Sequence, residues 1–318
     1  MFFNSLINDN LDLMKTVLVT GSNGLLGQKI TEQILTEESV KSVSLIATNR
    51  GKNKYSITEG YVYEEMDILD TAQVKTVLEK YRPDALIHTA AMTNVDMCHE
   101  QNETCWQLNV AATQYLALLC EKMDIHFVYI STDFVFDGLN GPYKEDDQPN
   151  PVSFYGKSKL EAERITQQMK GDWTIIRTIL VYGILKDMSR SNIVLWAKGT
   201  LEKGKSIKVV NDQWRMPTLA EDLAKACLLA VEHRVKGIYH ISGKDNMSIA
   251  DLVRKVADFW NLDKSLITEV SLDSLGQEAK RPKKTGFVLD KAMTNLNYQP
   301  HSFEEGLEIV RGQLAVFN

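Results

Sequence analysis

The chain has 318 residues, of which 44% are hydrophobic and 25% charged, and its formal net charge is −6 at pH 7. This composition is ordinary for a globular protein, and the length permits one large domain or two smaller ones. The negative charge argues against a nucleic-acid-binding surface, and no apolar run approaches the roughly 18 residues that cross a membrane. Residues 1–14 lack the basic segment that opens a signal peptide, so we expect a flexible N-terminal extension there.

The cysteines and the residues around them indicate neither a disulfide framework nor a metal site. Cysteines stand at positions 98, 105, 120 and 227, without CxxC spacing, which favours reduced thiols and a cytoplasmic location. His99 and Glu100 begin an HExxH-like sequence, but Glu103 occupies the position of the second histidine. We therefore predict no bound metal.

Short β-branched apolar runs alternate with helix-period segments over the first 180 residues, which predicts a parallel sheet with helices on both faces. The predicted strands are 16–20, 43–47, 61–63, 85–88, 126–130 and 173–177, and the clearest helices are 104–123 and 158–169. Later segments predict helices near 193–203, 218–233, 248–260 and 303–314, and strands at 207–210 and 237–241. We expect a doubly wound, Rossmann-type α/β fold, with a cofactor-binding domain at 15–180 and a smaller, interleaved α/β substrate lobe at 181–318.

A glycine-rich loop joins the first predicted strand to the first predicted helix. In such a loop glycines permit a tight turn and close approach of the backbone to a pyrophosphate, while the helix N-terminus supplies N–H groups and partial positive charge. A P-loop is excluded, because no Gly-Lys-Ser/Thr follows. We expect a dinucleotide to contact Gly21, Asn23, Gly24, Leu25, Leu26 and Gly27.

The end of the second predicted strand carries Asn49 and Arg50 and no acidic residue. An acid at this position would bind the ribose hydroxyls of NAD, whereas an arginine suits the 2′-phosphate of NADP. The sequence therefore favours NADP(H), with NAD(H) as the alternative. A solvated loop at Arg50 and Lys52, without a ligand, is the structural alternative.

Two tyrosines stand four residues before a lysine: Tyr155 before Lys159, and Tyr182 before Lys186. On a helix such a pair shares one face, and the ammonium favours the phenolate, so that the tyrosine pKa falls from about 10 toward neutrality. A helix is predicted after Tyr155, whereas the glycine that follows Tyr182 argues against one. We predict Tyr155 and Lys159 as the catalytic pair, and Tyr182 as a packing or pocket-lining residue.

The GxxGxxG spacing at residues 21–27 resembles that of the extended short-chain dehydrogenases/reductases. Residues 90–96, 131–138 and 155–160 further resemble the dTDP-4-dehydrorhamnose reductase family, and the resemblance runs from about residue 15 to 310. It implies reduction of a 4-keto-6-deoxy nucleotide sugar by a nicotinamide cofactor. Tyr155 would protonate the alkoxide, Lys159 would lower the pKa of Tyr155 and hold the nicotinamide ribose, and Thr132 would hydrogen-bond the carbonyl.

The resemblance also implies further contacts with the cofactor and with the nucleotide-linked sugar. Asp67, with Ile68 beside it, would meet the adenine amino group, and small residues after the fourth strand would line the cofactor. Those residues are Ala90, Ala91 and Thr93. The implied substrate residues are Thr132, Asp133, Phe134, Leu180, Trp214, Arg215 and Arg281.

Two positions depart from the family pattern and bear on the sugar. Phe134 stands where the family usually has a tyrosine, and Leu180 lies where the family often has an aromatic residue that packs on the sugar. A leucine cannot stack on a pyranose face as a ring does, so the identity of the sugar stays open. We hypothesise that Trp214 replaces the lost aromatic contact.

Three other functions share parts of this sequence pattern. A 4,6-dehydratase needs an Asp-Glu pair after the threonine, and here Phe134 follows Asp133, which argues against dehydration. A 4-epimerase would use the same threonine, tyrosine and lysine with retained NAD, but prefers the acid that is missing after the second strand. The regulatory β-subunit of methionine adenosyltransferase belongs to the same reductase-like group, and there the fold mainly binds a partner.

The long apolar segment at 104–123 also bears on assembly. Together with the helix after Tyr155, its large side chains predict a homodimer interface, as in many members of the superfamily. Packing of the same face against the sheet is the alternative.

Overall fold

A computed structural model describes residues 15–37, 43–185, 192–276 and 278–317. The predicted N-terminal extension lies outside these ranges, and so does Lys186 of the second tyrosine–lysine pair. Within these ranges, none of the helices combines the length and the apolar character that a membrane span requires.

The strands form one large sheet and three two-stranded ones. They are β1 (Lys15–Thr20), β2 (Val43–Asn49), β3 (Val62–Glu65), β4 (Ala85–His88), β5 (His126–Thr132), β6 (Trp173–Thr178), β7 (Val181–Tyr182), β8 (Ile207–Val210), β9 (Trp214–Arg215), β10 (Thr218–Leu219), β11 (Gly237–Ile241), β12 (Met247–Ser248) and β13 (Ile267–Val270).

The α-helices of the described ranges follow the same alternation. They are α1 (Leu25–Thr36), α2 (Thr71–Tyr81), α3 (Val95–Glu100), α4 (Asn102–Trp106), α5 (Ala112–Met123), α6 (Phe154–Gln167), α7 (Ile193–Leu201), α8 (Ala220–Glu232), α9 (Ile249–Phe259), α10 (Asp290–Leu296) and α11 (Phe303–Phe317).

Seven strands form the central sheet in the order β11-β6-β5-β4-β1-β2-β3, and all neighbouring strands are parallel. The direction of winding reverses between β1 and β4, which opens a crevice at the carboxyl ends of these strands, where open α/β sheets bind their ligands. All four residues of β4 are buried, as expected for a parallel strand covered on both faces. The predicted Rossmann-type α/β fold is confirmed.

Three large hydrophobic clusters build most of the core of the described residues, and a fourth, small one surrounds Tyr155. One packs α1, α8 and α10 against one face of the central sheet, and another packs α2, α5 and α6 against the opposite face. The third joins α7, α9 and α11 and belongs to the C-terminal half of the chain. Because β11 belongs to the central sheet and α8 packs against it, residues after 180 contribute to both parts, and the exact domain boundary stays a prediction.

The helix predicted over 104–123 is helical throughout, but it is not regular. Residues 107–111 form a π-helical segment between α4 and α5. Within it the buried Asn109 accepts a hydrogen bond from the Met92 N–H (2.8 Å) and donates to the Met92 carbonyl (3.0 Å) and to Ser158 Oγ (3.0 Å). A wider turn thus places one amide against both the loop after β4 and helix α6.

Tyr182 is a packing residue, which is one of the two roles predicted for it. Its side chain is buried in the third cluster. Its ring packs edge-to-face against the ring of Phe303, with 5.3 Å between the two ring centroids. Gly306, one turn into α11, leaves room for the Tyr182 hydroxyl, which a Cβ at position 306 would overlap.

Gly306→Ala is expected to lower the free energy of unfolding by about 1–3 kcal/mol, because the added methyl group overlaps the buried Tyr182 hydroxyl. Gly312→Ala on the same helix is the control, because nothing lies near its added methyl group. That change should raise stability by about 0.5–1 kcal/mol through helix propensity. Chemical denaturation of both variants measures the difference. An equal rise in the free energy of unfolding for Gly306→Ala and Gly312→Ala would contradict this packing of Tyr182.

Candidate active site

The glycine-rich loop between β1 and α1 lies against the loop that follows β4. Gly21 has a positive φ of 73°, and a Cβ there would come within 2.7 Å of the Ala90 nitrogen. At Gly27 a Cβ would lie 2.5 Å from Ser22 Cα, so the first turn of α1 packs directly on the loop. Only residues without side chains permit both approaches, which leaves backbone N–H groups and the N-terminus of α1 facing the crevice.

An open cleft of about 370 Å³ lies over this loop, at the carboxyl ends of β1, β2 and β4. It brings together most of the predicted cofactor residues: Gly21, Asn23, Gly24, Asn49, Arg50, Asp67, Ile68, Ala90 and Ala91. Six predicted cofactor residues do not line it: Leu25, Leu26, Gly27, Thr93, Tyr155 and Lys159. Four lining residues were not predicted: Lys54, Met66, Thr89 and Leu108. The glycine cradle and the shape of the cleft fit a dinucleotide.

Asn23 ties the glycine-rich loop to the segment after β2. Its side-chain nitrogen donates to the Lys52 carbonyl (3.0 Å), and its side-chain oxygen accepts from the Lys54 N–H (2.9 Å). The side chain of Arg50, next to this segment, is 77% exposed, with a guanidinium nitrogen 3.9 Å from an Asp67 carboxylate oxygen. An exposed pair at this distance is weak, so the guanidinium can turn toward a phosphate at the cleft rim.

Tyr155 lies in the first turn of α6, which begins where Ser153 Oγ accepts a hydrogen bond from the Gly156 N–H (3.1 Å). Its phenol is buried among Cys98, Cys105 and Phe134, whose ring centroid is 5.7 Å from that of Tyr155. Burial raises the pKa of Tyr155, and the nearby Thr132 hydroxyl opposes this rise. The phenol therefore keeps its proton at neutral pH, as a proton donor must.

Lys159 lies one turn after Tyr155 and is buried beneath the sheet end. Its ammonium donates to the Ile130 carbonyl (2.7 Å) and lies 4.2 Å from the centre of the Tyr129 ring. Burial lowers the pKa of Lys159 to about 7, while the carboxylate of Glu163 opposes this fall. The sequence predicts that Lys159 lowers the pKa of Tyr155; in this structure burial dominates instead, and the tyrosine pKa shifts upward.

A buried histidine at the end of β4 adjoins the same region and was not predicted. His88 meets the Thr20 hydroxyl through Nδ1 (2.7 Å) and the Thr113 hydroxyl through Nε2 (3.2 Å). Burial, reinforced by the charge of Lys159, lowers its pKa to about 3, so the ring is neutral. A histidine at the last position of an otherwise apolar strand is the sequence signal for a buried imidazole that hydrogen-bonds neighbouring hydroxyls.

The segment after β5 joins the sheet end to the C-terminal half of the chain. Thr132 Oγ1 accepts a hydrogen bond from the Phe134 N–H (3.2 Å). The buried Asp133 accepts from the Thr285 hydroxyl (2.5 Å) and lies 3.6 Å from the Arg215 Nε. Burial raises the pKa of Asp133, and the positive charge of Arg215 opposes the rise.

Arg215 links β9 to the segment at residues 282–283 and contacts Phe134. Its guanidinium donates to the carbonyls of Trp214 (2.7 Å), Pro282 (2.8 Å) and Lys283 (3.3 Å), and lies 5.6 Å from the centre of the Phe134 ring. These contacts direct the guanidinium of Arg215, for which the resemblance implies a substrate contact, toward carbonyls of the protein itself. Because neighbouring side chains of a strand point to opposite faces, Trp214 projects away from Arg215, and it is 36% exposed.

The other two predicted substrate residues make contacts of their own within the protein. Arg281 donates to an Asp96 carboxylate oxygen (2.8 Å) and to the Ala279 carbonyl (2.9 Å). Leu180 has a positive φ of 42° and packs between two core clusters. Across the described part of the chain, no group of three or more histidine, cysteine, aspartate or glutamate side chains is placed to hold a metal ion.

Comparisons with known proteins show the family and the fold to which this chain is similar. A family model described as the RmlD substrate binding domain matches residues 14–315. The chain is 31% identical over 267 residues to methionine adenosyltransferase 2 subunit beta of Xenopus tropicalis, covering 82% of this chain and 77% of the relative. It is 30% identical over 311 residues to a probable low-salt glycan biosynthesis reductase of Haloferax volcanii, covering 94% and 98%.

A solved structure shows a similar fold along nearly the whole chain. The dTDP-4-dehydrorhamnose reductase of Bacillus anthracis in complex with NADP matches with a TM-score of 0.80 and 27% sequence identity. The match covers 95% of this chain and 100% of that one.

Lys159→Met is expected to raise the free energy of unfolding near pH 7 by about 1–4 kcal/mol, because a buried ammonium destabilises the folded state. The lysine pKa is about 7 in the folded protein and about 10.4 in the unfolded chain. Between these values the unfolded chain binds more protons, so wild-type stability rises with pH and the advantage of the variant shrinks. Denaturation from about pH 7 to about pH 10 measures this, and a constant difference would contradict the desolvation of Lys159.

Proposed function

We propose that this chain, which belongs to the RmlD substrate-binding-domain family of the extended short-chain dehydrogenases/reductases, reduces the keto group of a 4-keto-6-deoxy nucleotide sugar. The observation that carries the proposal is the position of Tyr155, Thr132 and Lys159. Thr132 ends β5 and lies within hydrogen-bond reach of Tyr155 in the first turn of α6, and Lys159 follows one turn later. The carboxyl end of β5 lies at the same edge of the parallel sheet as the dinucleotide cleft.

The chain supplies acid catalysis in this proposal. When bound, the nicotinamide cofactor supplies the hydride. The Tyr155 phenol, which burial keeps protonated, donates its proton to the oxygen of the substrate carbonyl as that oxygen gains negative charge. Thr132 orients the same oxygen with its hydroxyl, and Lys159 holds the nicotinamide ribose and stabilises the phenolate that remains.

NADP(H) is the favoured cofactor, with NAD(H) as the alternative. Arg50 stands at the cleft rim with one weak ionic contact, where it can meet a 2′-phosphate. The similar reductase of Bacillus anthracis was solved in complex with NADP. Asn23 supports this role, because it holds the lysine-containing segment 52–54 against the glycine-rich loop.

Phe134 is the aromatic residue that the geometry favours beside the sugar. It is half-buried and lies between the Tyr155 phenol and the Arg215 guanidinium, which fixes its position. Arg215 and Asp133 then serve the sugar indirectly, by bracing Phe134 and Thr132. The hypothesis that Trp214 supplies the aromatic contact stays a prediction, and so does a role for Arg281 at the nucleotide.

A second candidate function is that of a regulatory subunit, favoured by the 31% identity to methionine adenosyltransferase 2 subunit beta. The helices before Tyr155 present exposed apolar side chains that suit a protein interface: Met97, Trp106 and Leu118. The same side chains suit the homodimer that the sequence predicts. Light scattering separates a homodimer from a stoichiometric complex with a methionine adenosyltransferase.

The test of the proposed function is NADPH and NADH oxidation across dTDP-, UDP- and GDP-linked 4-keto-6-deoxy sugars. Tyr155→Phe should lower kcat about 10²–10⁴-fold on the best substrate, because the proton donor is lost while the ring remains. Tyr115→Phe, on α5, is the control and should keep wild-type activity. Activity that survives Tyr155→Phe would refute the mechanism. A complex with no oxidation of either cofactor would favour the regulatory subunit.

Phe134→Leu is expected to raise KM for the sugar about 2–10-fold with a smaller effect on kcat, because an aromatic contact is lost at the wall of the site. Trp214→Ala is measured in the same assay. A rise in KM for Trp214→Ala alone would assign the aromatic contact to Trp214. Trp196, which is exposed on α7, provides the control variant Trp196→Ala.

A further inference from the structure

Glu163 is a fully buried carboxylate one helical turn after Lys159 on α6. One of its oxygens accepts hydrogen bonds from Ser131 Oγ (2.5 Å) and from Arg177 Nε (2.9 Å). Its other oxygen accepts from Arg177 Nη2 (2.7 Å). The carboxylate thus contacts two strands of the central sheet from the helix that carries Tyr155 and Lys159.

The partners of Glu163 are themselves fixed. Ser131 directly precedes Thr132 at the end of β5, so a bond to Ser131 sets the position of the strand end. Arg177 on β6 is buried, meets His240 Nε2 (3.3 Å) and the Glu145 carbonyl (3.4 Å), and lies 5.0 Å from the centre of the Phe136 ring. A bidentate arginine–carboxylate pair with these further contacts permits little movement of α6 against the sheet.

The charge of Glu163 also acts on Lys159. Burial lowers the pKa of Lys159 to about 7, and Glu163 is the strongest opposing influence. The other titratable groups facing the ammonium are the thiols of Cys98 and Cys105 from α3 and α4, and His88 from β4. His88 is neutral, so it offers no counter-charge. The ring of Tyr129 on β5 also lies against the ammonium, and Tyr155 precedes Lys159 by one turn of α6.

We propose that Glu163 is a positioning residue of the active site, which holds the Thr132 strand end in register with Tyr155 and favours the charged form of Lys159. The proposal rests on the proposed reductase function, because it assigns Glu163 a role toward the predicted catalytic set. It concerns a side chain that touches neither the dinucleotide cleft nor, in the proposed mechanism, the substrate.

The test is the pH profile of Glu163→Gln, which keeps the size of the side chain and removes its charge. Loss of the negative charge lowers the pKa of Lys159 further, so the ammonium is lost at lower pH. The alkaline limb of kcat/KM should move to lower pH by about one unit, with about tenfold lower kcat/KM above that limb. The pH dependence of NADPH affinity, followed by cofactor fluorescence, should shift in the same direction.

Two further variants separate positioning from general stability. Glu161→Gln removes one negative charge from the exposed side of the same helix and should leave both pH profiles unchanged. The double change Glu163→Leu with Arg177→Met replaces the buried pair by apolar side chains, which avoids an unpaired arginine and favours folding. It should show an acid shift in the same direction as Glu163→Gln but smaller, because the positive charge of Arg177 is removed together with the carboxylate.

The results of these experiments distinguish a failure of the Glu163 proposal from a failure of the proposed reductase function. A lower melting temperature with unchanged pH profiles in both Glu163 variants would overturn it, because a structural role alone predicts that result. A wild type that binds NADPH but reduces no keto sugar would refute the proposed reductase function, while the pH dependence of NADPH affinity would still test Glu163. A wild type that binds no nicotinamide cofactor would refute both.

Discussion

The buried ion pair between Arg177 and Glu163 is the contact on which the site depends. Both side chains are essentially inaccessible to solvent, and their charges are satisfied by each other, by the Ser131 hydroxyl and by His240. Removing one partner of such a pair costs about 3–5 kcal/mol, because a charge is left buried and unpaired. Since the pair joins β5, β6 and α6, it fixes Thr132, Tyr155 and Lys159 relative to one another.

Desolvation sets the protonation states around this pair. Burial raises the pKa of Tyr155 and of Asp133, and lowers the pKa of Lys159 to about 7 and of His88 to about 3. Each shift favours the neutral form of the group. Pairwise reasoning from sequence, in which a lysine acidifies a nearby tyrosine, omits this effect because it treats the pair as solvated. A protonated phenol beside a half-titrated lysine nevertheless suits a proton donor at neutral pH.

Local patterns in the sequence predicted the alternation of strands and helices and the glycine-rich loop, because each depends on nearby residues. The grouping of Thr132 with Tyr155 came from the family resemblance. The brace around Arg215 and the contacts of Asn109 were not predictable in this way. Arg215 meets carbonyls some seventy residues later in the chain, and Asn109 acts through a π-helical turn. Such contacts depend on tertiary packing, which periodicity does not encode.

The burial of Lys159 bears on the choice between an enzyme and a regulatory subunit. An ammonium with one carbonyl partner and a pKa of about 7 destabilises the folded protein, and an apolar side chain of similar length would fill the same space without that cost. A protein that only binds a partner gains nothing from this arrangement. An active site gains a cation beside a phenol and a dinucleotide cleft. The energetic penalty at Lys159, with Glu163 placed to reduce it, therefore argues for chemistry at this site.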